Sequence, residues 1–277
     1  MASVDPRRHR GFLAGAALVA LFALVSLAAP LLAPHDPHDV ASGTGATLEA
    51  PGRAHPFGTD ALGRDLLSRV LTGGRVSLAV GVGVEIVVVA IGGLIGLLAG
   101  FYGGRLDAVL MRATDVVMAF PSLVLAIGLI AIFETPGLDK VFIVLIALGW
   151  TTIARVMRGT VLSLKSREYV HAARALGASN AALMLRHLLP NAVAPLLVAA
   201  TIGVGSNMVA EAGLSFLGLG AQSPTISWGA MLADGQTFLS TAPWVAIFPG
   251  LALLLAVLGI NLLGDGLRDL LDPRFRD

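Results

Sequence analysis

The sequence predicts an all-α integral membrane protein with six transmembrane helices. Of its 277 residues, 56% are hydrophobic and 13% are charged, and an ordinary soluble domain has about twice that charged share. The mean hydropathy is +0.82, and six apolar runs approach the roughly 20 residues that a membrane span needs. A soluble enzyme of this size would need more polar surface, and a disordered chain would need fewer apolar residues. Both classes are therefore excluded.

The six predicted spans follow one another along the chain. The first carries no charge, the second is interrupted only by Glu85, and the third carries Asp115 at its edge. Arginines precede the first span as in a secretion signal, but its 22-residue run exceeds the roughly 7–15 residues of a signal core, so an uncleaved anchor is predicted. The spans are Gly11 to Leu32, Ser77 to Gly100, Thr114 to Phe133, Val141 to Ala154 (extending toward Met157), Ala192 to Val209 and Pro243 to Leu263.

Basic residues predict the orientation, because Lys and Arg concentrate on the cytoplasmic side. With the N-terminus inside, 14 of the 19 basic residues lie in inner segments. Both termini are therefore predicted to be cytoplasmic. The resulting organisation is a cytoplasmic tail (1–10), an anchor (11–32), an extracytoplasmic loop (33–76), a transmembrane core (77–265) with a cytoplasmic loop at 159–191, and a cytoplasmic tail (266–277).

Signatures of catalysis are missing from the sequence. A phosphate-binding P-loop ends in Gly-Lys-Ser/Thr, but the two lysines, Lys140 and Lys165, follow Asp139 and Leu164. No catalytic residue is predicted, and any ATP would be bound by another chain. The chain has no cysteine, which removes disulfides and thiolate metal sites.

A histidine-rich stretch in the first loop has two interpretations. His35, Asp36, His38 and Asp39, with His55 further on, offer imidazole and carboxylate groups that can bind a transition metal. Pro34 and Pro37 bracket the stretch, and Pro and Asp are typical turn residues. The turn is preferred, so no metal site is predicted.

Two features inside the second span call for an explanation. Gly92, Gly96, Gly100 and Gly104 recur every four residues, which predicts close helix packing; a pore lining is the alternative. Glu85 lies where a charge at the bilayer centre would cost about 2.5–3.5 kcal/mol. It is interpreted either as a pathway or ligand-facing residue or as a structural hydrogen-bonding group. At the span ends, Asp115 and Glu211 are expected to be solvated or capping residues.

The segment between the fourth and fifth spans predicts a short helix, a tight turn and a second helix. Tyr169, Ala172, Ala173 and Leu176 follow the i, i+3, i+4, i+7 spacing of one helix face, and Gly177 suits a left-handed C′ position. A second helix then begins at an N-cap, Ser179, and is predicted to break at Pro190. Because the apolar face consists of small residues, a partner's groove can approach it closely.

This segment resembles the coupling loop of ABC importer permeases, Glu-Ala-Ala-x3-Gly-x9-Ile-x-Leu-Pro. His171-Ala172-Ala173 precede Gly177 by that interval, and His187-Leu188-Leu189-Pro190 follow after nine residues. His171 replaces the usual acid, and His187 replaces the Ile. Further segments, in order, are similar to the dipeptide, oligopeptide and nickel branch, most of all its C-type subunit: His55–Asp65, Gly73–Leu78, Ala99–Gly104, Met111–Asp115, Glu211–Gln222, Ser227–Gly229 and Asn261–Pro273.

The resemblance implies the type I ABC permease fold and half of an alternating-access pathway in a prokaryotic plasma membrane. The implied substrate is a peptide, with nickel or another small solute as the alternative. The implied partners are a second homologous permease, two ABC ATPases that bind ATP and Mg, an extracytoplasmic substrate-binding protein and lipid; neither nucleic acid nor a cofactor of this chain is expected. The implied coupling residues are Tyr169, His171, Ala172, Ala173, Arg174, Gly177, Leu189 and Pro190.

Two other classes remain as alternatives. An ion-driven secondary transporter would use Glu85 as its proton carrier, and a membrane scaffold would transport nothing. The glycine-turn loop favours an ATPase partner over both.

Overall fold

The computed structural model describes residues 6–40 and 47–271, and this part of the chain is helical, with one isolated β-bridge between Thr59 and Asp65 in place of any strand. The all-α prediction is therefore confirmed. The helices are α1 (Pro6–Leu27), α2 (Ala29–Leu32), α3 (Leu66–Tyr102), α4 (Gly104–Met118), α5 (Ser122–Ile130), α6 (Leu138–Lys165), α7 (Glu168–Ala175), α8 (Asn180–Ala182), a π-helical turn (Leu183–Leu188), α9 (Leu189–Phe216), α10 (Trp228–Gly235), a 3₁₀ turn (Gln236–Phe238) and α11 (Trp244–Leu271).

Five of the described helical runs are long and apolar enough to cross a membrane. The remaining predicted span, the third along the chain, was expected to be one helix. It is instead a pair of helices, α4 and α5, that meet at a bend of 85°. The break lies at Pro121, which lacks an amide proton and disfavours a helical conformation at the residue before it. The apolar composition predicted a span in this region, but neither its start at Gly104 nor its break.

Helix α3 is longer than the apolar run that predicted it. It begins at Leu66, where the Asp65 side chain caps it by accepting a hydrogen bond from the Ser68 amide at 2.8 Å. Arg69 and Arg75 lie in its first turns, and these charges hid the start of the helix from a hydropathy argument. It ends at Gly103, whose φ is +68°. Gly104 begins α4, so the prediction that Gly104 continues the glycine stripe of the second span is wrong.

The bundle has two ends that matter for function. At the Leu66 end, α3 begins, α9 ends, and α10 packs among them. At the Tyr102 end, α3 ends, α9 begins, and α7 packs across the bundle. Helix α1 joins the bundle by packing along α11, where a Cβ on Gly266 would lie 2.6 Å from Phe12 and one on Gly259 would lie 2.8 Å from Leu18.

Candidate functional site

A cavity of about 930 Å³ opens between α4, α5, α6, α9 and α11. Its wall is mainly apolar, with a few polar side chains, and a mixture of this kind is typical of small-molecule sites. The polar lining residues are Ser122, Thr151, Thr152, Ser206, Asn207 and Asn261. Sequence reasoning missed this cavity, because the residues that line it become neighbours only when the helices pack.

Glu85 lies behind the wall of this cavity. Its side chain is buried, and Oε2 accepts a hydrogen bond of 2.9 Å from Nδ2 of Asn207, a lining residue. The carboxyl group also lies against Gly203 of α9, where a Cβ would overlap it. Of the two interpretations, the geometry favours a hydrogen bond to a neighbouring helix, and no described contact places Glu85 on the cavity surface.

Gly92, Gly96 and Gly100 bring α3 close to α6. A Cβ on Gly92 would overlap the carbonyl oxygen of Trp150, and one on Gly96 would overlap that of Ala154. At Gly100 the added carbon would lie 2.9 Å from Cβ of Val161. Only hydrogen fits at these positions, so the stripe is a helix-packing surface and the pore-lining alternative receives no geometric support.

The loop after α6 forms the predicted short helix with a glycine stop. Gly177 has φ +87°, its amide donates to the Arg174 carbonyl at 3.0 Å, and the Ala178 amide donates to the Ala173 carbonyl at 3.1 Å. This pair of bonds is the Schellman motif. The hydroxyl of Ser179 accepts from the Ala182 amide at 3.2 Å, so both predicted caps are confirmed.

One face of α7 holds it to the bundle. Val170 is buried in a cluster with Leu97, Phe101 and Leu188, and Ala173 packs on the same cluster. The guanidinium of Arg174 lies 5.9 Å from the ring centroid of Phe101, within cation–π range. Helix α7 therefore packs mainly on the π-helical turn before α9 and on α6, and its buried side chain joins an apolar cluster that includes residues of α3.

The other face of α7 points away from the bundle. Tyr169, His171 and Ala172 are exposed, and Leu176 is 89% exposed. The predicted apolar stripe is thus divided, since Ala173 turns inward while Tyr169, Ala172 and Leu176 turn outward. Spacing alone missed Val170 as the buried anchor, because the helix is too short for its buried side to be read from periodicity.

The prediction that Pro190 breaks the chain's helical course is wrong. A π-helical turn over Leu183–Leu188 leads directly into α9, in which Leu189 and Pro190 occupy the first turn. The first amides of a helix have no intrahelical acceptor, so a proline there costs no hydrogen bond. Asn191 also donates from Nδ2 to the His187 carbonyl at 2.7 Å. Leu189 is partly buried and Pro190 is exposed.

Glu211 is not solvated, contrary to expectation. It is fully buried, and Oε1 accepts a 2.7 Å hydrogen bond from Ser215 while Oε2 lies 3.4 Å from the Ser77 hydroxyl. Ser77 Oγ in turn accepts from the Trp228 amide at 3.3 Å. This network ties the segment after α9 to α3. Asp115, by contrast, is half exposed and pairs with Arg155 at 2.7 Å.

The histidine-rich stretch contains the predicted turn, in which Asp36 Oδ1 accepts from the His38 amide at 2.8 Å. Asp36, His38 and Asp39 are exposed there. The His35 side chain lies apart from these three, next to His55 and Asp65. Sequence reasoning missed Asp65 as their neighbour, although it ends the same motif that His55 begins.

Apolar helices surround a part-polar cavity and a capped helix faces outward, an arrangement that fits a multi-pass membrane transport component. The chain belongs to the family described as binding-protein-dependent transport system inner membrane components, whose model matches residues 92–277. The N-terminal membrane domain of oligopeptide transport permease C matches residues 7–51, so the resemblance drawn from the sequence motifs is confirmed.

Relatives support the same assignment over nearly the whole chain. A dipeptide transport system permease protein of Alkalihalophilus pseudofirmus is 38% identical over 98% of this chain and 88% of its own length. A putative peptide transport system permease protein of Brucella abortus biovar 1 is 43% identical over 97% and 90%. A glutathione transport system permease protein of Pectobacterium atrosepticum is 45% identical over 82% and 75%.

Proposed function

We propose that this chain forms half of the translocation pathway of an ATP-driven importer of di- or oligopeptides. The observation that carries this proposal is the outward face of α7, where Leu176 is 89% exposed on a helix whose other face is anchored. A large aliphatic side chain gains free energy only when a surface covers it. The relatives named for dipeptide, peptide and glutathione transport support a peptide as the substrate.

The covering surface in this proposal is an ABC ATPase. Two ATPases would sit below two homologous permease subunits, and a binding protein would deliver the substrate from outside. When ATP closes the ATPase dimer, α7 would move with it, and the apolar cluster that Val170 shares with Leu97, Phe101 and Leu188 would pass that movement to α3 and α9. The helices would then alternate between inward and outward access.

A matched pair of variants tests the α7 surface. Leu176→Glu should lower co-purification of the ATPase at least tenfold and abolish uptake, because a charge replaces the exposed apolar contact. Leu62→Glu is the control, since Leu62 is also an exposed loop leucine but lies at the Leu66 end. Equal ATPase recovery with both variants would overturn the assignment of α7 as the docking helix.

Uptake into proteoliposomes with the purified partners tests the substrate. Labelled di- and tripeptides should accumulate with ATP, and Ni²⁺ should not. Uptake of Ni²⁺ in preference to peptides would instead establish the nickel alternative. The sequence feature that favours this alternative is the set of three histidines at positions 35, 38 and 55.

The orientation is part of the proposal. With 14 of 19 basic residues on inner segments, both termini and α7 face the cytoplasm. Reporter fusions after Asp277 and within residues 42–46 should therefore report opposite sides. A C-terminal reporter active outside the cell would contradict this orientation and the docking of α7 on a cytoplasmic ATPase.

A further inference from the structure

Three potential metal-binding side chains meet at the Leu66 end, although they come from three separate segments. His35 follows α2, His55 lies in the described segment 47–65, and Asp65 caps α3. One ligand atom from each lies within 4.8 Å of the other two. Asp65 is fully buried and the His55 side chain is 3% exposed, while that of His35 is 30% exposed. The group is therefore buried on two sides and open on the third.

The two carboxylate oxygens of Asp65 have separate roles. Oδ2 accepts from the Ser68 amide at 2.8 Å and from the Ser68 hydroxyl at 2.6 Å, which completes the cap of α3. Oδ1 faces both imidazoles, with Nδ1 of His55 at 2.9 Å and Nδ1 of His35 at 3.7 Å. The helix cap thus leaves one oxygen free to serve the two rings.

A hydrogen-bonded pair accounts for only part of this arrangement. His55 and Asp65 are within hydrogen-bond distance, but 3.7 Å is too long for one between His35 and Asp65. Nδ1 of His35 is buried and has no hydrogen-bond partner in residues 6–40 and 47–271. A buried nitrogen without a partner is unfavourable, so the structure calls for a group that interacts with both rings and the carboxylate at once.

We propose that His35, His55 and Asp65 bind one divalent transition-metal ion, of which Zn²⁺ is the representative. Imidazole nitrogen and carboxylate oxygen are the ligands that such ions prefer. Metal–ligand bonds of about 2.0–2.2 Å at a tetrahedral angle separate neighbouring ligand atoms by roughly 3.3–3.6 Å. The observed separations from Oδ1, 2.9 and 3.7 Å, lie on either side of that range, and all three ligand atoms lie within 4.8 Å of one another, so the side chains must draw closer around the ion to complete the site.

The surroundings suit a resident ion with a structural role. The His35 amide donates to Ser68 Oγ at 3.1 Å, and the same hydroxyl supports Asp65, so Ser68 orients two of the ligands in the way that outer-shell groups do. The His35 side chain is 30% exposed, so the ion would enter from this side, and a water would supply the fourth ligand. Bound there, the ion clamps the segment after α2 to the first turn of α3.

Metal binding by the full-length chain tests this proposal directly. The protein is purified in detergent through a tag that contains no histidine, stripped with a chelator and titrated with ZnCl₂ in a calorimeter. One Zn²⁺ should bind per chain, and Zn²⁺ should raise the melting temperature. His35→Ala should weaken binding at least tenfold and abolish the thermal shift.

His38→Ala is the matched control, because His38 is an exposed histidine three residues away and outside the group. It should bind Zn²⁺ like the parent protein. His35 Nδ1 makes no described hydrogen bond, so His35→Ala should fold, and equal melting of it and the parent in chelator would verify this. Failure of the parent protein to bind one Zn²⁺ saturably, or unchanged binding by His35→Ala, would overturn the proposal.

Discussion

The two ends of the bundle are built differently. At the Leu66 end, the segment after α9 returns to the helices through buried polar contacts, in which the Ala221 amide donates to Ser215 Oγ and the Trp228 amide donates to Ser77 Oγ. There the indole of Trp228 lies in the core and donates to the Val70 carbonyl at 2.9 Å. At the Tyr102 end, α7 rests on Val170 and Ala173 and turns Tyr169 and Leu176 outward.

This difference separates what the chain completes alone from what it leaves to a partner. Buried polar groups are costly unless they are paired, and the Leu66 end pairs most of them internally. Exposed large apolar side chains that lie together mark an interaction surface, and in the proposed function α7 supplies that surface at the Tyr102 end. We therefore expect substitutions at the first end to affect folding and those at the second to affect assembly.

The largest effect is expected at Trp228. Trp228→Ala removes an indole that is 1% exposed, packs edge-on to Phe22 at 5.8 Å and lies over Gly73 and Gly74. Truncation of a buried Trp costs about 3–5 kcal/mol, so the variant should lose most of its stability in detergent. Thermal unfolding followed by size-exclusion recovery would measure this loss.

Trp150→Ala is the control for that variant. Trp150 is only partly buried, and its indole NH donates to Ala147 within its own helix. A smaller fall in melting temperature is expected. Equal melting temperatures for the two variants would show that the Leu66 end is not the more tightly packed region.

A middle-sized effect is expected at the packing surface that joins the two ends. Gly96→Ala adds a carbon that overlaps the Ala154 carbonyl and lies 2.7 Å from Cβ of Met157. Overpacking of this kind costs about 1–3 kcal/mol, whereas the same change at Gly159, where nothing lies within 4 Å, should stabilise α6 slightly. A melting temperature of Gly96→Ala as high as that of Gly159→Ala would show that α3 and α6 can separate freely.

Gly177→Val should act on assembly more than on folding. A Cβ there would meet nothing within 4 Å, so the cost comes from φ +87° alone, at about 1–2 kcal/mol. The chain should still insert, while the redirected α7 loses the ATPase and uptake falls. Immunoblots of membranes, ATPase co-purification and uptake would be compared with Gly159→Val. Normal uptake by Gly177→Val would make the loop an ordinary connector.

Local signals allowed the sequence to predict much of this end. The C′ glycine at Gly177 and the N-cap at Ser179 each depend on a few adjacent residues, and both are where they were predicted. Pro190 misled because the π-helical turn before it, which lets the helix continue, has no signature in composition. Val170 was overlooked because its burial depends on Leu97 and Phe101, which are far away in sequence.

The Leu66 end was harder to predict. Glu211 was expected to meet solvent because it ends an apolar run, yet Ser77 and Ser215 bury it. The convergence of His35 and His55 on Asp65 also depends on how separate segments fold back. Hydropathy predicts which segments are helical and apolar, but it carries no information on which polar groups from different segments will pair.

The smallest effect is expected at Glu85→Gln, midway between the two ends. A glutamine has the same shape, and its amide oxygen can still accept the hydrogen bond that Asn207 now donates to Oε2 at 2.9 Å. If ATP drives transport and Glu85 is structural, uptake should stay within about twofold of the parent, since only one net hydrogen bond of about 1 kcal/mol is altered.

Gly203→Ala is the contrasting variant, because its Cβ would press on the Glu85 carboxyl group and should lower stability. Both would be assayed for uptake, ATP hydrolysis and melting. Collapse of uptake in Glu85→Gln, with ATP hydrolysis and melting unchanged, would make Glu85 part of the pathway and would support the ion-coupled alternative.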